Sequence, residues 1–177
     1  MQLSVHVAQR RVADDLLDTA GLAGRSPLAE RRASGDTGRA MSQENVEIVR
    51  RLYAEFLARP ERMMDPAISQ FFDPAVELRQ SASIFGTEGT FHGYDGLIRA
   101  AREVFETFRD LHFVPIRLID AGDHVVATVD AHGYGKHSDA EVNATVGHVW
   151  TLRGGRIVAW HVHMDPADAL EAAGLRE

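Results

Sequence analysis

The chain has 177 residues, a formal charge of −7 and no cysteine. That length supports one domain with a real core, and the missing cysteines exclude disulfides, zinc–thiolate sites and cysteine nucleophiles. The acidic balance argues against general nucleic-acid or anionic-membrane binding, no apolar run reaches membrane-spanning length, and the N-terminus lacks a secretory apolar core, so a soluble cytoplasmic protein is the default expectation.

Residues 1–40 read as a flexible N-terminal extension. Val5–Leu17 has the pattern of a short amphipathic helix, but Gly21, Gly24, Pro27, Gly35 and Gly38 break any helical pattern after it, and Met41 makes a plausible start. From there, 41–177 reads as one domain. Ser42 is placed to cap a helix with Glu44 in its first turn, and Val46, Val49, Leu52, Tyr53, Phe56 and Leu57 recur at helical spacing. Pro60 and Pro66 punctuate a second helical region that ends at Asp73-Pro74. Ala75–Arg79 reads as a short strand, and Ser81–Gly93 as a loop with an apolar tip at Ile84-Phe85. A third helix is predicted over Asp95–Phe108, with Leu97, Ala101, Val104, Phe105 and Phe108 as its buried stripe.

The remaining elements are mostly strands: His112–Ile119, with Pro115 marking an edge or a bulge; His124–His132; Glu141–Leu152; and a hairpin partner after Gly154-Gly155. Asp165-Pro166 then starts a last helix, Ala167–Ala173, stopped by Gly174. Helices first and a meander after them make an α+β layout, with the helices covering one face of the sheet.

The hairpin admits two registers. A two-residue turn at Gly154-Gly155 pairs His148 with His161, whereas a three-residue turn with Gly155 as a bulge pairs His148 with Trp160. The second gathers Val146, His148, Trp150, Leu152, Val158, Trp160 and Val162 on one face. It leaves Thr145, Gly147, Val149, Thr151, Ile157, Ala159, His161 and His163 on the other. Because a one-residue slip exchanges the faces, the apolar concentration favours the three-residue turn and an interior His148.

Three segments carry a family resemblance. They are Met41-Ser42-Gln43-Glu44-Asn45-Val46, Gly89-Thr90-Phe91-His92-Gly93, and the stretch from His148-Val149-Trp150-Thr151-Leu152-Arg153 to Asp165-Pro166-Ala167-Asp168-Ala169-Leu170. With them, residues 41–175 resemble the SnoaL-like family of the nuclear transport factor 2-like superfamily. The resemblance implies a cone-shaped fold in which a curved, mainly antiparallel sheet wraps three helices around a mostly apolar pocket. It leaves the reaction open, because the fold hosts polyketide cyclases, ketosteroid isomerases, epoxide hydrolases, scytalone dehydratases and non-enzymes.

Four residues are candidates for cofactor-free acid–base work. His148 lies in the aromatic face at a place resembling the oxyanion-hole acid of ketosteroid isomerases, and Tyr53 resembles their oxyanion tyrosine. Asp130 and His132 share one strand face and resemble in place, though not in residue type, the Arg-x-Asp pair of limonene epoxide hydrolases. Each has a bland counterpart: a satisfied core histidine, a packed tyrosine, and a solvated Asp-x-His opposite the small apolar face of Val125, Ala127, Val129 and Ala131. The isomerase base falls near Leu78 and the second epoxide-hydrolase aspartate at Val162, so neither reaction transfers intact. Leu78, Phe85, Phe105, Trp150, Trp160 and Val162 are the expected cavity walls.

His161-x-His163 puts two imidazoles on one face, but a chain with nine histidines makes such pairs by chance, so no metal and no cofactor are expected. Two functions compete. One is a small-molecule pocket protein acting as a cofactor-free isomerase, cyclase, dehydratase or hydrolase on an apolar oxygen-bearing substrate. The other is a non-catalytic ligand-binding or interaction module. A homodimer through the outer sheet face, at Val149, Thr151, Ala159, His161 and His163, is the expected assembly.

Overall fold

The computed structural model describes residues 32–81 and 89–175. Contacts divide the chain into Met1–Ala33 and Ser34–Glu177. The fold is that of the second unit, and the Val5–Leu17 pattern lies outside the described residues.

Helix α1 spans Arg32–Leu52 and runs through Gly35, Gly38 and Met41 without a break. The expected start at Ser42 is therefore corrected. Ser42 does not cap; its hydroxyl donates to Asp120, and Asn45 Nδ2 donates to the Gly122 carbonyl at 3.2 Å. Both side chains are buried at the turn that joins two strands, so a tertiary contact takes the polar group that local pattern assigned to a cap. The helix continues into a π-helical turn, Tyr53–Leu57. Two short 3-10 helices, Pro60–Arg62 and Pro66–Phe71, replace the single helical region expected there.

Among the described residues the sheet has six strands: β1 (Phe72–Gln80), β2 (Gly89–His92), β3 (Phe108–Ala121), β4 (His124–Gly135), β5 (Glu141–Arg153) and β6 (Arg156–His163). Helix α2 (Gly93–Thr107) separates β2 from β3, and α3 (Pro166–Ala172) closes the described chain. Asp165 caps α3 by accepting from the Ala167 amide at 2.8 Å, with Pro166 in the first turn. The sheet order is β2-β1-β6-β5-β4-β3, antiparallel throughout except for the parallel β1–β6 pair. β3 is an edge strand with a register shift between Pro115 and Arg117, so Pro115 marks both an edge and a bulge.

Neither hairpin register anticipated from the sequence is the one formed. Gly154 and Gly155 make a two-residue turn, with φ of +56° and +74°, and Arg153 pairs with Arg156 and Leu152 with Ile157. The pairing then slips at Val158, so that Thr151 faces Ala159, Trp150 faces Trp160 and His148 faces Val162. The bulge expected in the turn lies inside β6 instead. One extra residue restores the parity that a two-residue turn would have lost. His148, Trp150, Trp160 and Val162 therefore share the inner face as expected, while Ile157 takes the buried place assigned to Val158.

The core lies between this inner face and the helices. Val49, Leu52 and Phe56 from the first helical segment meet Leu97, Ala100 and Val104 of α2 and the inner residues Leu78, Val125, Ala127, Val146 and Trp150. A second, smaller cluster sits on the opposite face, where Ala169 of α3 packs on Val126 and Val149. Gly147 permits that approach: a Cβ there would lie 2.5 Å from Ala169 Cβ and 3.0 Å from Pro166 Cα. Val149, assigned from the sequence to a dimer face, is thus covered by the chain's own last helix.

Candidate functional site

The inner face of β5 and β6 brings one polar side chain into the aromatic core. His148 is fully buried, with its ring 5.6 Å from Phe113, 5.7 Å from Trp150 and 5.3 Å from Trp160 between centroids. Its Nδ1 lies 2.7 Å from the Tyr53 hydroxyl, and Trp150 Nε1 donates to that same oxygen at 3.3 Å. The π-helical turn that begins at Tyr53 ends with the Ala58 amide reaching back to the Tyr53 carbonyl at 2.9 Å. The wider turn sits where the phenol meets β5, a setting in which such insertions recur.

Relative acidity assigns the proton positions. An indole N–H can only donate, so Tyr53 Oη accepts from Trp150; a phenol O–H is a far stronger donor than a neutral imidazole N–H, and a bare imidazole nitrogen the better acceptor, so the phenol proton goes to His148 Nδ1. The imidazole then carries its proton on Nε2, which is buried and has no hydrogen-bond partner. Burial, with a smaller contribution from the charge of His163, lowers the His148 pKa to about 3. Burial also pushes the Tyr53 phenol far above its ordinary value, against a weaker opposing effect of the Trp150 hydrogen bond. Both groups are neutral at physiological pH, which makes His148 a hydrogen-bond donor here and not a base.

An apolar cavity of about 70 Å³ borders this group. Its walls include Leu57, Met63, Leu78, Leu97, Val104, Phe105, Phe113, Trp160 and Val162, with His148 among them. Trp160 Nε1 is a second buried N–H with no partner. The two indoles stack with centroids 4.5 Å apart, yet only that of Trp150 is engaged, by Tyr53. No Asp or Glu borders the cavity among the described residues.

Tyr53 and His148 are therefore brought together, and Leu78, Phe105, Trp160 and Val162 line the adjoining cavity. Trp150 stands behind the first layer and holds Tyr53. Phe85 lies outside the described residues. Asp130 and His132 do not join this group. β4 presents Val125, Ala127, Val129 and Ala131 inward, so Asp130 and His132 face out. There Asp130 accepts from Thr145 Oγ1 at 2.8 Å, while His132 Nδ1 lies 2.6 Å from Asn143 Oδ1 and its ring stacks on His112. Alternation along the strand decided their side.

Sequence reasoning missed the neighbourhood of His161 and His163. The parallel β1–β6 pairing puts Arg79 opposite His161 and brings Glu77 to 3.8 Å from His161 Nε2. Burial nevertheless lowers the pKa of both histidines, helped at His161 by Arg79 and opposed by Glu77. Among the described residues no group of three or more side chains is placed to hold a metal, and no helix is long and apolar enough to cross a membrane.

Comparisons with known proteins agree with this architecture. No curated protein sequence matches the chain significantly. A nuclear transport factor 2-like protein of unknown function from Burkholderia pseudomallei superposes with a TM-score of 0.60 at 25% identity, covering 72% of this chain and 95% of that one. A putative SnoaL-like polyketide cyclase from Jannaschia gives 0.59 at 19% identity, covering 88% and 100%. TerC co-crystallised with polyporic acid gives 0.60 at 22% identity, covering 74% and 98%. The family description "SnoaL-like domain" matches residues 49–160, more than half of the sequence and nearly all of the sheet, and the chain therefore belongs to the SnoaL-like domain family.

Proposed function

We propose that this protein binds a small, largely apolar molecule through an oxygen that accepts a hydrogen bond from His148 Nε2. The observation that carries this reading is the relay Trp150 N–H, Tyr53 O–H, His148, which orients the imidazole and leaves its far N–H without a partner beside an apolar cavity. Leaving a buried donor unsatisfied costs about 1–3 kcal/mol, and a ligand carbonyl recovers that cost on binding. A mostly apolar pocket with a few placed polar groups is the usual form of a small-molecule site.

The chemistry that fits is electrophilic. A neutral imidazole N–H polarises a carbonyl and stabilises the enolate-like charge that develops during isomerisation, cyclisation or dehydration, with no cofactor. A neutral histidine plays this part in triosephosphate isomerase. A polyketide-like skeleton, apolar and oxygenated, suits such a cavity.

A second reading is non-catalytic ligand binding. One observation favours it: no carboxylate borders the cavity among the described residues, and His148, which does border it, is held neutral by burial. The experiment is a thermal-shift and calorimetric screen of small ketones and aromatic polyketide fragments, with His148→Gln as the control. Binding that His148→Gln abolishes supports the site. Turnover of the bound ketone then decides for the enzyme, and tight binding without turnover decides for the carrier. Ketones that bind equally to both proteins remove His148 from the function.

A further inference from the structure

We propose that Trp160 Nε1–H is a second ligand-binding donor acting beside His148 Nε2–H, and that the cavity selects neutral apolar molecules carrying two vicinal carbonyl oxygens. The proposal rests on the reading of the cavity as a small-molecule site and adds to it the head group that the site takes.

Three observations carry it. Both N–H groups are buried without partners, and both residues border the same apolar cavity. Their rings lie 5.3 Å apart in an edge-on arrangement, Trp160 facing Trp150 across the hairpin and His148 facing Val162. The stacked indole of Trp150 has its N–H engaged by Tyr53, so the absence of a partner at Trp160 is particular to the indole that lines the cavity.

Each orphaned donor is matched only by an acceptor. Two neighbouring donors ask for two neighbouring acceptors, and vicinal carbonyl oxygens, about 3 Å apart, are a compact neutral pair of that kind. A carboxylate also offers two oxygens. No Lys or Arg borders the cavity among the described residues, however, and burial keeps the imidazole neutral, so a full charge would be desolvated without a counter-ion. Both nitrogens are buried, so a ligand that engages them shifts the side chains around the cavity.

The probes are camphor and camphorquinone, which share one compact apolar skeleton and differ by the second carbonyl. Calorimetry on the full chain is expected to give about tenfold tighter binding of camphorquinone, the value of one added hydrogen bond to a buried donor. Trp160→Phe is expected to bring the ratio of the two affinities from about tenfold to about one; both probes meet the same altered wall, so the ratio carries the result. Nitrogen-15 NMR gives the same answer without any variant, because the chain holds two tryptophans and so two indole N–H signals. Camphorquinone should move the Trp160 signal downfield, and camphor should leave it in place. Equal affinity for the two probes, or an unmoved Trp160 signal, overturns the vicinal-dicarbonyl assignment. If His148→Gln still weakens both probes in that case, the pocket reading stands. If neither probe binds the wild-type chain and the wider ketone screen is also blank, the pocket reading falls and takes this one with it.

Discussion

Replacing Tyr53 by Phe tests the relay at its centre. The ring stays in place, edge-on to Trp150 at 5.8 Å between centroids, so the core volume is nearly unchanged and no cavity is opened. What disappears is one oxygen that accepts from Trp150 Nε1 at 3.3 Å and donates to His148 Nδ1 at 2.7 Å. Two fully buried groups are left unpaired, each costing about 1–3 kcal/mol. The longer contact belongs at the low end of that range, so a loss of about 2–4 kcal/mol is expected. For a domain of this size it corresponds to a fall in Tm of roughly 5–15 °C. Urea denaturation followed by tryptophan fluorescence measures the loss directly, with the slope against urea unchanged. The double variant Tyr53→Phe, His148→Phe should lose less than the two single losses together, because the second change removes the acceptor that the first had stranded. A single-variant loss below about 0.5 kcal/mol, or strict additivity, would refute the relay and with it the assignment of the free proton to His148 Nε2.

Three further outcomes are expected. The His148 pKa is depressed to about 3, below its ordinary 6.5, so its contribution to stability is complete above pH 6.5 and is lost as pH falls toward 3. In that window the unfolded imidazole takes up a proton that the folded one refuses; about 2 kcal/mol should go between pH 6.5 and 5, and His148→Gln should flatten that part of the profile. Gly147→Ala should cost about 1–3 kcal/mol and loosen α3, because its Cβ would sit 2.5 Å from that of Ala169; hydrogen exchange in the Val126–Val149 patch reports it, and unchanged protection would show that the helix does not need the close approach. Asp130→Ala with His132→Ala should leave ketone affinity within about twofold of wild type, since both side chains face away from the cavity; a larger loss would place them in the site after all.

Much of the inner face was legible locally. The alternation of β4 is a property of the strand, so the inward set Val125, Ala127, Val129 and Ala131 could be read off directly, and the same alternation sends Asp130 and His132 outward against the place that the family resemblance suggested. Asp165-Pro166 announces a helix start wherever it occurs before a good helical run. The side of the hairpin that faces inward was also legible, because only one parity of pairing gathers His148, Trp150, Trp160 and Val162 on one face, although the bulge that sets this parity lies in β6 and not in the turn.

The sequence by itself therefore determined the inward set of β4, the gathering of His148 with Trp150 and Trp160 on one face, and the resemblance to the SnoaL-like family, while it assigned to Val158 the inward place that Ile157 takes. Only the tertiary structure decided where the hairpin slips, since a bulge at Val158 depends on how β6 lies between β5 and the parallel β1, strands far apart in sequence. It also decided that Ser42 serves Asp120 and not its own helix, and that α3 takes Val149 from the outer surface. The contact between Tyr53 and His148 spans 95 residues, and nothing in either local pattern sets it. Buried donors find partners through the whole fold, because the cost of an unpaired group is paid wherever the core closes.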